Sequence, residues 1–167
     1  MSEDGLTPER LVEIERICRL KYAYLRCLDQ KRWDDLRELF TPDATASYGG
    51  GRHTYSGSAI VDWITQAMDD PGVHSAHRCT QPEIDLVSDT EATGTWALID
   101  TVIDTRFDVT VQGASFYEDR YVKVDGRWLI AHTGYKRTFE EIFSRSSIEG
   151  LRLTASWWAT DGVSSLG

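Results

Sequence analysis

The stretch KYAYLRCLDQKRWDDL, residues 21–36, decides how the first part of this chain folds. Apolar residues at helical spacing predict one long helix. It begins at Thr7 and Pro8, an N-cap followed by a proline at the first helical position, and ends near residue 30. Asp29 interrupts the apolar stripe, because it shares a helix face with Tyr22 and Leu25. This carboxylate is either solvated at a fraying helix end or faces a pocket.

The position of Asp29 also predicts how it titrates. The carboxyl end of a helix carries partial negative charge, and partial burial disfavours an ionised carboxylate. Both effects are expected to raise the pKa of Asp29. A raised pKa would suit Asp29 to act as a base or as the partner of a histidine.

The composition is that of one globular domain, with 167 residues, 41% hydrophobic and 27% charged. The formal net charge of −9 repels phosphates, so neither nucleic acid nor a membrane is an expected partner. No apolar run reaches the roughly 20 residues of a membrane span, and residues 1–10 do not resemble a secretory signal. The three cysteines lack metal-type spacing and indicate reduced thiols, so we expect a cytoplasmic protein.

The pattern changes from helices to strands along the chain. A short helix is predicted over RWDDLRELF, two short strands surround the glycines of ATASYGGGRHTYSG, and a third helix covers SAIVDWITQAM. Long strands follow from residue 73, with a possible bulge at Pro82 and a hairpin turn at Asp125–Gly126. A short helix is predicted around FEEIF, residues 139–143, and a loose tail after it. Helices followed by a mostly antiparallel sheet predict an α+β fold.

Two residues on the predicted strands are candidates for chemistry. Alternation places Asp100 in one apolar row with Trp96, Leu98 and Val102, where a charge is costly unless it is paired or used. Asp100 is therefore a site residue, a buried hydrogen-bonding group or a residue at the sheet edge. His77 is either a proton shuttle or a structural histidine, because imidazole titrates near neutral pH.

Other candidates could bind a substrate. Alternation places Arg137 in register with Leu129, Ala131 and Tyr135, and it either binds a substrate carboxylate or forms a salt bridge with an acidic residue. Tyr24 and Tyr48 are either hydrogen-bond donors to a carbonyl oxygen or core tyrosines.

Two further motifs predict no binding site. His74 and His77 have a spacing that sends the two rings to opposite faces of a strand, so no metal site is expected. The glycine run of residues 49–51 lacks the Lys-Ser/Thr of a phosphate loop and is typical of a turn.

Taken in order, these segments resemble the SnoaL-like branch of the nuclear-transport-factor-2-like superfamily, and within it the bile acid 7α-dehydratases. The matching segments lie between residues 21 and 137 and are KYAYLRCLDQKRWDDL, ASYGGG, H-x-x-x-x-PEI, TGTWALID, FYEDRYVKVDGRW and TGYKR. The segment GGGRHTYSG and the tail LTASWWATDGVSSLG depart from the pattern. The resemblance implies a single domain over residues 1–167, with a core at about 8–143 and a flexible C-terminal tail. Its fold would be a conical barrel, in which a curved sheet wraps the long first helix and two shorter helices.

The resemblance also implies a function. It points to a dehydratase, a lyase without cofactor or metal, that acts on a hydrophobic steroid- or polyketide-like ketone. A ketosteroid-type isomerase or polyketide cyclase is the alternative enzyme, and a non-catalytic ligand-binding or assembly module is the alternative of another class. The implied catalytic residues are Tyr24, Asp29, His77 and Asp100, and the implied substrate-binding residues are Tyr48 and Arg137. The family tendency predicts a homo-oligomer, either a dimer or a trimer.

Overall fold

The long first helix, α1, covers Pro8–Asp29 and packs along the inner face of a curved sheet. The structure is a computed structural model that describes residues 7–166, so the acidic start of the chain lies outside the described residues. The Thr7 hydroxyl accepts a hydrogen bond from the backbone N–H of Arg10, which satisfies a free donor of the first turn. Gln30 ends the helix as its C-cap. The predicted bounds of this helix are confirmed.

Three shorter helices flank the sheet. Helix α2 covers Trp33–Arg37, α3 covers Ala59–Met68 and α4 covers Trp157–Thr160. Helix α3 buries Ile60 and Ile64 against the core. Its apolar face therefore closes one side of the space beneath the sheet.

The sheet has six strands, in the order β2-β1-β6-β5-β4-β3. Strands β1 and β6 are parallel, and the other neighbours are antiparallel. The predicted α+β fold and conical barrel are confirmed. The strand bounds are β1 Phe40–Tyr48, β2 His53–Ser56, β3 Val73–Leu86, β4 Glu91–Asp104, β5 Val109–Val124 and β6 Arg127–Ser144.

The inner face of β4 follows the predicted alternation. Trp96, Leu98 and Asp100 are all buried, with exposures of 0%, 2% and 3%, whereas Ile99 between them is 66% exposed. A strand with one buried and one open face produces this period of two. Asp100 therefore enters the interior as a carboxylate within an apolar row.

Two expectations about β6 are wrong. The segment FEEIF is strand rather than helix, because it pairs with β5 from Phe139 opposite Ala114 to Phe143 opposite Thr110. In addition, a bulge at Ala131 shifts the register, so Arg137 does not share a face with Leu129 and Ala131, although it does share one with Tyr135. Beyond the bulge, the buried face continues through Thr133 to Arg137.

The possible bulge at Pro82 is confirmed. The register between β3 and β4 shifts between Thr80 and Glu83, and Gln81 has a φ of +52°. Proline cannot donate a ladder hydrogen bond, so the strand departs from regular pairing there. His77 lies before this shift and remains in register, opposite Asp100.

The segment after β6 includes a 3₁₀ turn at Arg145–Ser147 and the short helix α4. Ser156 caps α4 through its hydroxyl, and the Trp158 ring lies 4.7 Å from the Lys31 ammonium nitrogen. Among residues 7–166, no helix is both long and apolar enough to cross a membrane. The flexibility predicted for this tail stays a prediction.

Candidate active site

A cavity of about 130 Å³ opens between α1, α3 and the inner face of the sheet. Five of the predicted site residues line it, and these are Tyr24, Tyr48, His77, Asp100 and Arg137. Asp29, the sixth, binds His77 at the cavity wall. The fold thus brings together side chains from α1, β1, β3, β4 and β6.

His77 and Asp29 form a hydrogen-bonded pair. The His77 Nδ1 atom is 2.7 Å from one carboxylate oxygen of Asp29, and the His77 backbone N–H donates to the other oxygen at 2.9 Å. The Ser75 hydroxyl donates to the same carboxylate at 2.8 Å. An ionised carboxylate only accepts hydrogen bonds, so in the neutral form of the imidazole Nδ1 carries the proton and Nε2 the lone pair. The arrangement prepares Nε2 to take a proton from a molecule in the cavity.

The expectation of a raised Asp29 pKa is wrong. Burial does raise the pKa, but the hydrogen bond and charge of the His77 imidazole, the His77 backbone N–H and the Ser75 hydroxyl act in the opposite direction. Together these groups lower the Asp29 pKa below its ordinary value of 3.8. Asp29 is therefore ionised at neutral pH, which suits the partner of a histidine rather than a base.

Tyr24 and Tyr48 place two phenols beside each other in the cavity. Their hydroxyl oxygens are 3.3 Å apart, and the two residues are 1% and 3% exposed. Burial raises the pKa of each well above its ordinary value of 10, so both stay protonated at neutral pH. Only one hydroxyl can donate within the pair, so the other proton is available to an oxygen of a ligand.

Asp100 and Arg137 form a two-pronged ion pair. One guanidinium nitrogen, Nη1, contacts Asp100 Oδ1, and Nη2 is 3.0 Å from Oδ2. Nη1 also donates to the Ser115 hydroxyl at 3.2 Å, and Nε lies 2.9 Å from Glu140. Burial lowers the pKa of Arg137, but the hydrogen bond and charge of Asp100 raise it overall. Arg137 could bind a substrate carboxylate or form a salt bridge, and the structure shows the salt bridge, with Asp100.

The remaining cavity wall is aromatic. The Trp63 ring stacks on Tyr48 with centroids 5.3 Å apart, and Tyr135 packs between Tyr48 and Tyr117 at 5.8 and 5.6 Å. Rings that contact one another in this way lose little conformational freedom when a flat ligand binds. The wall is therefore a rigid aromatic surface.

Sequence analysis missed several residues of the site. Ser75 could have been found from its position two residues before His77, since residues two apart share a strand face. Trp63 and Tyr117 carry no signal that separates a cavity wall from a core. Lys21 is buried one helical turn before Tyr24. Helical spacing alone places it on the same face as Tyr24.

Within the described residues 7–166, no group of three or more His, Cys, Asp or Glu side chains could hold a metal ion. The groups that the cavity does offer are an imidazole with a carboxylate partner, two protonated phenols and a guanidinium–carboxylate pair. These groups can move a proton and stabilise negative charge on an oxygen.

Comparisons with known proteins agree with this architecture. The profile of the SnoaL-like domain matches residues 9–134. A candidate scytalone dehydratase from Novosphingobium aromaticivorans is 25% identical, with a TM-score of 0.75 over 81% of this chain and 91% of its own. The type-3 hexachlorocyclohexane dehydrochlorinase from Novosphingobium barchaimii is 18% identical, with a TM-score of 0.73 over 86% of this chain and 95% of its own. A Mycobacterium tuberculosis protein of unknown function is 24% identical, with a TM-score of 0.67 over 81% and 78% of the two chains.

Proposed function

We propose that this chain, which belongs to the SnoaL-like domain family, is a cofactor-independent dehydratase that acts on a hydrophobic hydroxyketone. The observation that carries the proposal is the His77–Asp29 pair, joined at 2.7 Å, at the wall of an apolar cavity that also contains the Tyr24 hydroxyl. A base and an oxyanion donor in one apolar cavity are what removal of a proton beside a ketone requires.

The proposed reaction is a β-elimination of water. Nε2 of His77 removes a proton from the carbon beside the ketone, and the C–H electron pair moves to form an enolate. Tyr24 donates a hydrogen bond to the oxygen on which the negative charge develops. The enolate then re-forms the ketone and expels the β-hydroxyl group, which takes the proton from the His77 imidazolium and leaves as water. Asp29 keeps the proton on Nδ1 and stabilises the imidazolium cation.

The other three residues orient the substrate in this proposal. Arg137 is fixed by Asp100 and Ser115, so its guanidinium cannot swing freely within the cavity. The Asp100–Arg137 pair would hydrogen-bond the leaving hydroxyl, and Tyr48 would share the ketone oxygen with Tyr24. Orientation of this kind contributes to rate because the reacting atoms start close to their transition-state geometry.

The size of the cavity bears on the substrate. An apolar cavity of about 150 Å³ in another protein holds one benzene molecule, and the cavity here is about 130 Å³. A steroid- or polyketide-like ketone would therefore insert its reacting ring and leave the rest outside the cavity. The closer resemblance to bile acid 7α-dehydratases stays a prediction.

The alternative enzyme is an isomerase or cyclase, which would use the same base but expel no hydroxyl. The likeness to a candidate scytalone dehydratase supports elimination over isomerisation. A non-catalytic binding module would need no base, and the fixed His77 tautomer speaks against it. Release of water and formation of an enone would distinguish a dehydratase from the other two.

The test is His77→Ala. Purified protein is first screened by thermal shift with 3-hydroxycyclohexanone, hydroxylated 3-oxo steroids and aromatic polyketides, because a bound ligand stabilises the native state. Turnover of the strongest ligand is then followed by the absorbance of the enone. His77→Ala should lower kcat by about 10²–10⁴-fold, the contribution of a general base.

His74→Ala is the matched control, since His74 lies on the same strand but does not line the cavity. We expect it to retain wild-type turnover within about twofold, as is usual for a change away from the reacting groups. Full activity of His77→Ala, or equal losses in both variants, would overturn the proposal.

We also propose that the chain works as a homo-oligomer, a dimer or a trimer, in the cytoplasm. Large apolar side chains on the outer face of the sheet, among them Ile99, Phe116 and Phe139, support an oligomer. The cytoplasmic location is supported by three cysteines that form no disulfide, Cys18, Cys27 and Cys79.

A further inference from the structure

A buried ion pair lies beneath the cavity, and it has no role in the proposed reaction. The Lys21 ammonium nitrogen is 2.7 Å from a carboxylate oxygen of Asp119, and both side chains are 0% exposed. Such a pair is weak support for stability, because the cost of removing two charges from water is often as large as their attraction. Its position under a candidate active site therefore points to a role in chemistry.

Hydrogen bonds from core residues hold the Asp119 carboxylate in place. The Thr133 hydroxyl donates to Oδ1 at 2.7 Å, and the Tyr121 hydroxyl donates to Oδ2 at 2.7 Å. The Trp96 indole N–H in turn donates to the Tyr121 hydroxyl at 2.9 Å. Thr133, Tyr121 and Trp96 are buried core residues rather than part of the cavity lining. The carboxylate is thus anchored in the core.

The ammonium group of Lys21, in contrast, lies against rings of the cavity wall. Its nitrogen is 3.4 Å from the centroid of the Tyr117 ring and 4.8 Å from that of the Tyr24 ring. Both rings line the cavity, and the Tyr24 hydroxyl is 3.3 Å from that of Tyr48. A cation on the face of an aromatic ring is attracted to the electrons of that ring and orients it. The side of the ion pair that faces the cavity is therefore positive.

We infer that Lys21 is a positioning residue for an oxyanion site formed by the phenols of Tyr24, Tyr48 and Tyr117. Its charge would favour negative charge on the ligand oxygen that these hydroxyls contact, and its contact with two rings would fix their orientation. The inference rests on the proposed function, in which the substrate oxygen becomes negative as His77 removes a proton. A charge fixed in a water-excluded site is effective because nothing must reorganise during the reaction.

Ligand binding tests the inference without any turnover. The probes are 4-nitrophenolate, whose anionic oxygen resembles an enolate, and cyclohex-2-enone, a neutral ketone, both titrated at one alkaline pH. The test protein is Lys21→Met/Asp119→Asn, which removes both charges together, because Lys21→Met alone would leave a buried carboxylate unpaired. Ile17→Ala is the matched control, since Ile17 is 0% exposed on the same helix and its truncation weakens the core without changing charge.

The double variant should bind 4-nitrophenolate about tenfold more weakly, as expected for a partly offset charge in a medium of intermediate dielectric constant. Its affinity for cyclohex-2-enone should stay within about twofold of the wild-type value. Ile17→Ala should change the affinities for the two probes by the same factor. The absorption band of bound 4-nitrophenolate should also shift from its wild-type wavelength in the double variant, but not in Ile17→Ala. Equal losses for both probes, or no change for either, would show that Lys21 is merely structural. A wild-type protein that prefers the neutral probe, or binds neither, would overturn the inference as well.

Probe binding and the turnover assay together separate this inference from the proposed function. A chain without dehydratase activity would show no turnover, or unchanged turnover in His77→Ala, whatever the probe affinities. If Lys21 does not have this role, the ratio of the affinities for 4-nitrophenolate and cyclohex-2-enone will be the same in the wild type and the double variant. That result would leave the dehydratase assignment intact. If both are right, kcat of the double variant should fall while KM stays nearly constant, because the charge acts only when the oxygen becomes negative.

Discussion

At the scale of single residues, the three hydrogen bonds on Asp29 explain how this side chain can act. The carboxylate accepts from Ser75, from the His77 backbone and from the His77 ring. Each bond favours the ionised form, and together they overcome the effect of burial on the Asp29 pKa. Asp29 is thus an anchored anion whose task is to fix one tautomer of its neighbour.

Asp29→Asn tests this task. An asparagine can turn its amide N–H toward Nδ1 of His77, which would place the histidine proton on Nε2 and remove the base from the cavity. We expect kcat to fall by about 10²–10⁴-fold in steady-state assays, as for loss of the base itself.

Ser75→Ala is the conservative companion to Asp29→Asn. It removes one hydrogen bond but leaves the charge and the tautomer, so its loss should stay near tenfold, the size of a single hydrogen bond. If Asp29→Asn is no worse than Ser75→Ala, the carboxylate is not the orienting partner of His77.

At the scale of elements, close contact between strands β5 and β6 positions Arg137. A Cβ atom added to Gly113 would lie 2.5 Å from the Phe139 carbonyl oxygen and 3.1 Å from Nη1 of Arg137. Gly113 also pairs with Asp100 across the neighbouring strand. A glycine at this position therefore lets β6 approach closely enough for the Asp100–Arg137 ion pair to form.

Gly113→Ala should push β6 outward. We expect it to lower the free energy of unfolding by about 1–3 kcal/mol, the usual cost of overpacking, and to raise KM by loosening Arg137. Urea denaturation and steady-state kinetics measure the two effects.

Gly126→Ala is the matched control, because nothing lies within 4 Å of its added Cβ, although its φ is +80°. This control should cost about 1 kcal/mol through backbone strain, with KM unchanged. Equal KM values for the two variants would show that close approach at Gly113 does not position Arg137.

At the scale of the whole molecule, the outer face of the sheet exposes an apolar patch. Ile99 and Phe139 both neighbour Ala114 across the strands, and Phe116 lies two residues further along β5. These three side chains, here termed the outer apolar patch, are 66%, 55% and 51% exposed. Neighbouring exposed apolar side chains of this size are typical of a protein interface.

Phe116→Glu should therefore shift the chain from oligomer to monomer. A charge in the centre of an apolar interface stays unpaired on association, and this cost opposes assembly. Size-exclusion chromatography with light scattering gives the mass directly. Phe107→Glu, at a site that is 71% exposed in the turn between β4 and β5, should leave the mass unchanged. A wild-type monomer, or an oligomer that survives Phe116→Glu, would contradict an interface at this patch.

Local rules determined much of this protein from its sequence. The Thr7–Pro8 start fixed where α1 begins, and the Asp125–Gly126 turn joined β5 to β6, because capping and turn geometry depend on neighbouring residues alone. Alternation along β4 placed Asp100 inside, since a strand with one buried face has a period of two.

Only the tertiary structure decided how these residues meet. Asp29 reaches His77 across 48 positions, Asp100 reaches Arg137 across 37, and Lys21 finds Asp119 on a different element. Such contacts depend on strand register, and the bulge at Ala131 resets that register in a way that alternation does not reveal. The direction of the Asp29 pKa shift changed for the same reason, because the donors that lower it come from β3 rather than from its own helix.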